Sequence, residues 1–191
     1  YRKVQNSSFM TLPDGKPLSV IGNKRGQDNM GRVTGPDFLE EVLKRTEHTG
    51  MKHYFYGTTQ ENLDSFISVV KKTYPNLKIV GVEPSVFRDL SEQEEKELIE
   101  RINKSEADFV WVALGAPRQE IFCNKLSSQS NAVWIAVGGA LNVISGVIPR
   151  APQWMQDYGL RFMKEPRRLF KRYFVTNSKF LWYLSKDKGV K

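Results

Sequence analysis

Residues 108–120 read Asp108-Phe109-Val110-Trp111-Val112-Ala113-Leu114-Gly115-Ala116-Pro117-Arg118-Gln119-Glu120. An apolar run, Asp108–Leu114, has the length and β-branched, aromatic content of a buried strand. It breaks at Gly115, and Pro117 then stands at a favoured first-turn position of a helical pattern, Pro117–Leu126. The same handover recurs on both sides. Lys52–Tyr56, Leu77–Val82 and Val133–Val137 are further short apolar runs. Between them, Glu61–Tyr74 sets Leu63, Phe66, Ile67, Val70 and Tyr74 on one stripe, and Ser91–Lys104 opens on Ser91 and Glu94, the spacing of a capping box. Strand and helix in alternation at this spacing predict right-handed βαβ units and a parallel sheet covered on both faces. The fold class is therefore α/β, Rossmann-like, and ligands are expected at the strand C-terminal ends.

Three loops fall at those ends: Gly57-Thr58-Thr59, Gly115 to Glu120, and Gly138-Gly139-Ala140 followed by Leu141-Asn142. The second leads into a helix N-terminus, where unpaired N–H groups and a partial positive charge suit a phosphate or a polar base edge. In that reading Arg118 pairs with a phosphate and Gln119 reads a base edge; the plainer one is a strand-to-helix turn with surface Arg and Glu. Two glycine loops on neighbouring strand ends point to a nucleotide diphosphate. Neither Gly-x-Gly-x-x-Gly nor Gly-x-x-x-x-Gly-Lys-[Ser/Thr] occurs, which argues against a standard dinucleotide site and against P-loop ATP hydrolysis. His48 and His53 lack further ligand partners at metal-binding spacing, and no Asp-x-Asp occurs, so no metal site and no cofactor are expected. Cys123 lies in a helical pattern and reads as a core residue. Upstream of the alternation, Pro13-Asp14-Gly15-Lys16-Pro17 and Arg32-Val33-Thr34-Gly35-Pro36-Asp37 read as polar turns, with Asp14 either a general base or a turn and cap residue.

Charge divides the 191 residues unevenly. Residues 150–191 hold 11 Lys/Arg and 3 Asp/Glu, which accounts for the whole net charge of +8. The expected organisation is an α/β domain over 1–149 and a basic, aromatic helical appendage over 150–191. Wound as a helix from Arg167, the tail puts Leu169, Phe170, Tyr173, Phe174, Phe180, Leu181 and Leu184 on one arc of about 160°. Arg167, Arg168, Lys171, Arg172, Lys179 and Lys186 fall opposite, with Val175 and Trp182 as exceptions to the pattern. That pattern suits either an interfacial membrane helix or a terminal helix docked on the sheet. No apolar run reaches the ~18–20 residues of a bilayer span. The single cysteine excludes an intrachain disulfide, and the N-terminus, without Met or a signal-peptide core, reads as the start of a fragment.

In chain order, Pro13-Asp14-Gly15-x-Pro17-Leu18, Arg32 to Asp37, Gly57, Tyr74-Pro75, Gly81, Gly115 to Glu120, Val137 to Ala140, Gly146, Arg150-Ala151-Pro152-x-Trp154, Gly159-Leu160 and Glu165-Pro166-x-Arg168-Leu169-x-x-Arg172-Tyr173 resemble the WecG/TagA/CpsF family of bacterial glycosyltransferases. The resemblance implies an inverting, metal-independent transferase moving a sugar, N-acetylmannosamine best, from a UDP-sugar to a polyprenyl-pyrophosphate-linked sugar in surface polysaccharide synthesis. By similarity Asp14 is the base and Arg32 binds or neutralises the diphosphate. Gly57, Gly115, Pro117, Arg118, Gln119, Glu120, Gly138, Gly139 and Asn142 are then expected to form the substrate pocket, with Asn142 where many relatives carry Asp. Arg150, Arg167, Arg168, Lys171 and Arg172 are expected to serve the acceptor or an anionic membrane, with the protein at the inner face of the cell membrane. The resemblance implies no nucleic-acid partner and leaves a homo-oligomer open. It also implies residues ahead of the Asp-Gly motif that are not in this chain. Two other readings compete: a nucleotide- or nucleic-acid-binding module, and an inactive partner of an active transferase.

Overall fold

The computed structural model describes residues 2–150, 174–175, 178–180 and 182–186. The chain forms two compact units, one of Tyr1–Leu12 with Val33–Pro149 and one of Pro13–Arg32 with Arg150–Lys191.

The larger unit carries the sheet. After α1 (Arg2–Ser7) and α3 (Gly35–Thr46), the chain runs β1 (Lys52–Gly57), α4 (Gln60–Thr73), β2 (Lys78–Glu83), α5 (Glu92–Ser105), β3 (Phe109–Ala113), α6 (Arg118–Leu126), β4 (Val133–Ala136) and α7 (Ala140–Ile144). The helix α2 (Lys16–Lys24) belongs to the other unit. All strand pairs are parallel and the order is β2-β1-β3-β4. The expected α/β sheet is thus present, with boundaries within a residue or two of the apolar runs.

Strand alternation builds two cores. Phe55 and Trp111 point to one face, packing with Leu39 and Leu43 of α3, Leu63, Phe66 and Val70 of α4, and Leu141 of α7. Tyr54, Tyr56, Val110 and Val112 point to the other, against Leu98, Ile99 and Ile102 of α5 and Leu126 of α6. That division follows from handedness. The β1-to-β2 connection steps one way along the sheet, and the β2-to-β3 and β3-to-β4 connections step the other way, so right-handed crossovers place α4 opposite α5 and α6.

Local chemistry starts the helices where the sequence allows. Ser91 and Glu94 form a full capping box on α5, and Thr59 caps α4 by accepting from the Asn62 N–H. Two helices depart from the sequence reading, which left their segments as turns. Thr34 caps α3 by accepting from the Asp37 N–H, and Pro36 sits in its first turn. In the smaller unit, α2 has Gly15 as N-cap with no side-chain cap bond. Asp14 is therefore not its cap. Asn23 staples the following loop, donating to Ser19 O and Met30 O while its Oδ1 accepts from Met30 N.

Candidate functional site

Strand order locates the site before any side chain is considered. Because β1 connects outward to β2 and the chain then crosses to β3, the direction of winding switches between β1 and β3. At such a switch the loops leave in opposite directions and open a crevice at the strand carboxyl ends. The loops there begin at Gly57 and Gly115, and β4 adds Gly138 alongside.

Gly57 has φ +128°, and a Cβ there would lie 2.5 Å from the Ala113 carbonyl oxygen of β3. Only glycine fits. Thr58 follows in the left-handed region at φ +49°, and its N–H donates to Ala113 O at 3.1 Å. Its hydroxyl accepts from Asn62 Nδ2 at 3.1 Å, so its own proton goes to Asn142 Oδ1 at 3.0 Å. This orients the Asn142 carboxamide and leaves its nitrogen without a partner among the described residues. The Thr58 carbonyl accepts from Ser85 N at 3.0 Å, which ties the loop after β2 to the same point.

Gln119 joins the other two loops. Its Oε1 accepts from Gly115 N at 3.1 Å and from Gly138 N at 2.9 Å, and the residue is 5% exposed. Its Nε2 donates to Glu120 Oε1 at 3.2 Å. Glu120 Oε2 is buried with no hydrogen-bond partner. Pro117, after a cis peptide bond, is exposed with Gly115 and Gly139. Arg118 is half-buried, and its guanidinium lies 3.2 Å from Asp89 Oδ1, which holds it beside the loop after β2. Burial, with the Glu120 charge nearby, pushes the Cys123 thiol up to about 12, so it is no nucleophile at neutral pH.

In the smaller unit, Arg32 Nε donates to the Asp14 main-chain oxygen at 2.7 Å, and its Nη2 lies 3.9 Å from Asp14 Oδ1. The bond fixes the Asp14 backbone through the main chain and leaves the carboxylate 74% exposed. Arg150 is exposed. Arg167, Arg168, Lys171 and Arg172 lie outside the described residues. Residues 178–180 and 182–186 are helical; Trp182 and Tyr183 are exposed, with Lys186 Nζ 3.9 Å from the Trp182 ring centre.

Hydrogen bonding thus brings Gly115, Gln119, Glu120 and Gly138 into one set and Asn142 into another with Thr58. Sequence reading passed over Thr58, Asn62 and Ser85 as individual side chains. The available signal was the pair Thr58-Thr59 after a glycine: one threonine caps the helix, which frees its neighbour to bond across the sheet edge. No group of three His, Cys, Asp or Glu side chains able to hold a metal occurs among the described residues.

The chain matches the Glycosyl transferase WecG/TagA/CpsF family over residues 1–191. Two relatives carry the name N-acetylglucosaminyldiphosphoundecaprenol N-acetyl-beta-D-mannosaminyltransferase. The one from Bacillus spizizenii is 29% identical over 164 residues, covering 85% of this chain and 62% of its own length. The one from Bacillus subtilis is 30% identical over 196 residues, covering all of this chain and 74% of its own. With a family match along the whole sequence and a relative 30% identical that this chain covers over 74% of its length, the chain belongs to the WecG/TagA/CpsF family of glycosyl transferases.

Proposed function

We propose that this chain carries the catalytic region of an inverting transferase that moves N-acetylmannosamine from a UDP-sugar to a polyprenyl-diphosphate-linked N-acetylglucosamine. The observation that carries the reading is the shared name of the two Bacillus relatives, which states both the sugar moved and the acceptor. The geometry supports it through the switch point between β1 and β3, where the loops that begin at Gly57, Gly115 and Gly138 lie together at the strand carboxyl ends.

In the proposed reaction Asp14 takes the proton of the acceptor hydroxyl as the new bond forms at the anomeric carbon. The bond from that carbon to the diphosphate oxygen breaks on the opposite face, which inverts the centre. Charge grows on the departing UDP, and Arg32 is the side chain we assign to offset it. Arg pairs bidentately with phosphate, which also suits Arg150, Arg167, Arg168 and Arg172, with Lys171, to the acceptor diphosphate or to anionic lipid. Gly57, Pro117, Arg118, Glu120, Gly139 and Asn142 complete the substrate pocket in this reading. With no Asp-x-Asp in the sequence, the reaction is assigned without a divalent cation. Among the described residues no helix is long and apolar enough to cross a membrane; in this reading the lipid acceptor is met at the surface of the bilayer.

The test is turnover of a panel of UDP-sugars by the intact protein, with a short-chain polyprenyl-diphosphate-N-acetylglucosamine acceptor and EDTA present. UDP-N-acetylmannosamine is expected to be the preferred donor, giving a β-linked product. Preference for another sugar would overturn the donor assignment. Activity that appears only after a divalent cation is restored would overturn the metal-free one.

A further inference from the structure

We propose that Gln119 is a positioning residue: its carboxamide clips the Gly115 and Gly138 loops into one rigid rim. Two main-chain N–H groups, one from the loop after β3 and one from the loop after β4, converge on a single side-chain oxygen at 3.1 and 2.9 Å. Both partners are donors, so the atom facing them is the carbonyl and the orientation of the amide follows. The nitrogen is then turned to Glu120 Oε1 at 3.2 Å. With its oxygen doubly used and the residue 5% exposed, Gln119 acts through the loops rather than on a base edge. Its placement serves this. It lies in the first turn of α6, and its own N–H donates to Gly115 O at 3.0 Å, so backbone and side chain grip the same glycine. Neither glycine has side-chain packing to hold it, and both have positive φ, so the clip supplies the order that the loops lack.

The functional consequence rests on the reading that this rim carries the donor nucleotide. Fixing Gly115 and Gly138 together before the ligand arrives removes an ordering cost from binding. The clip and that reading fail separately, because the first can be read without any ligand. In the unliganded protein, amide exchange at Gly115 and Gly138 should accelerate together by about tenfold or more in Gln119→Leu while core amides such as Val110 are unchanged. Unaltered exchange at both glycines would overturn the clip.

The second variant is the exchange Gln119→Glu with Glu120→Gln. It preserves net charge, the acceptor for the two glycines, and a donor–acceptor pair between positions 119 and 120. It removes the N–H groups with which residue 119 could touch a ligand. We expect protected glycine amides in this exchange and a UDP Kd closer to the parent's than that of Gln119→Leu, where it is raised about tenfold. Protected amides with UDP binding lost would show that the carboxamide nitrogen contacts the ligand directly, and would overturn the positioning role. If the parent binds no UDP while the exchange pattern holds, the clip stands and the nucleotide reading falls.

Discussion

The Asp14 side chain can be removed with little structural consequence, because the contact that anchors its backbone does not use it. Arg32 Nε bonds the main-chain oxygen, and the 3.9 Å ion pair to the exposed carboxylate is of the kind that contributes little. Asp14→Ala should therefore fold with stability within about 0.5 kcal/mol of the parent. If Asp14 is the base, the variant should lose about 10²–10⁴-fold in kcat. UDP affinity measured by calorimetry should hold; a variant with normal turnover removes Asp14 from the reaction. His53 presents the reverse case, a residue with chemistry available that the fold consumes. It is fully buried; Nδ1 accepts from Trp111 Nε1 at 3.0 Å and Nε2 faces the Thr46 hydroxyl at 2.9 Å. Burial pushes its imidazole down from 6.5 to about 4, against an opposing pull from Asp108. Held neutral, it binds fewer protons than in the unfolded chain. Its contribution is thus complete above 6.5 and is lost as pH falls towards 4. Between pH 7.5 and 5 this amounts to about 2 kcal/mol. Urea melts should show that loss in the parent and a shallower one in His53→Gln, which can make similar bonds without titrating. Equal slopes would sink the assignment.

At the scale of elements, glycine requirements separate what the sheet needs from what a ligand needs. Gly57 combines φ +128° with a Cβ position against the β3 backbone, whereas Gly115 has φ +81° and open space around it. Gly57→Ala must move backbone and should cost about 3 kcal/mol or more, while Gly115→Ala meets only left-handed strain of about 1 kcal/mol. Denaturant midpoints test the ranking, and the reverse order would show that the crevice is not built on β1–β3 contact. The strands were legible because each is a short apolar run read by a buried parallel sheet, and α4 and α5 because their stripes and caps are local. The helices α2 and α3 were not, although Phe38, Leu39, Val42 and Leu43 keep helical spacing, because Gly15, Pro17, Gly35 and Pro36 punctuate their starts as turns do. The site was legible as three glycine loops but not as a network. Thr58 meets Asn142 across 84 positions and Gln119 meets Gly138 across 19, and nothing local encodes such bonds.

Over the whole molecule, charge and compactness partition the chain differently. The net charge of +8 begins at Arg150, while the smaller compact unit also takes in Pro13–Arg32, the segment that bears Asp14 and Arg32. Residues 165–191 carry eight Lys/Arg and two Asp/Glu, and Trp182 and Tyr183 are exposed within them. A basic residue near an anionic bilayer contributes about 1 kcal/mol, so this segment is sufficient in sign and size to hold a protein of otherwise balanced charge at a lipid surface. The larger unit has two cores of its own, built from its strands and helices. Deleting 165–191 should therefore leave a cooperative unfolding transition for that unit and abolish sedimentation with vesicles containing anionic lipid. Turnover with a lipid-linked acceptor should fall with it. In the intact chain, raising salt from 0.1 to 1 M shortens the screening length from about 10 to about 3 Å and should release most of the bound protein. If the truncated chain sediments as the intact one does, membrane attachment resides elsewhere, and the basic residues of the tail are left to the acceptor diphosphate alone.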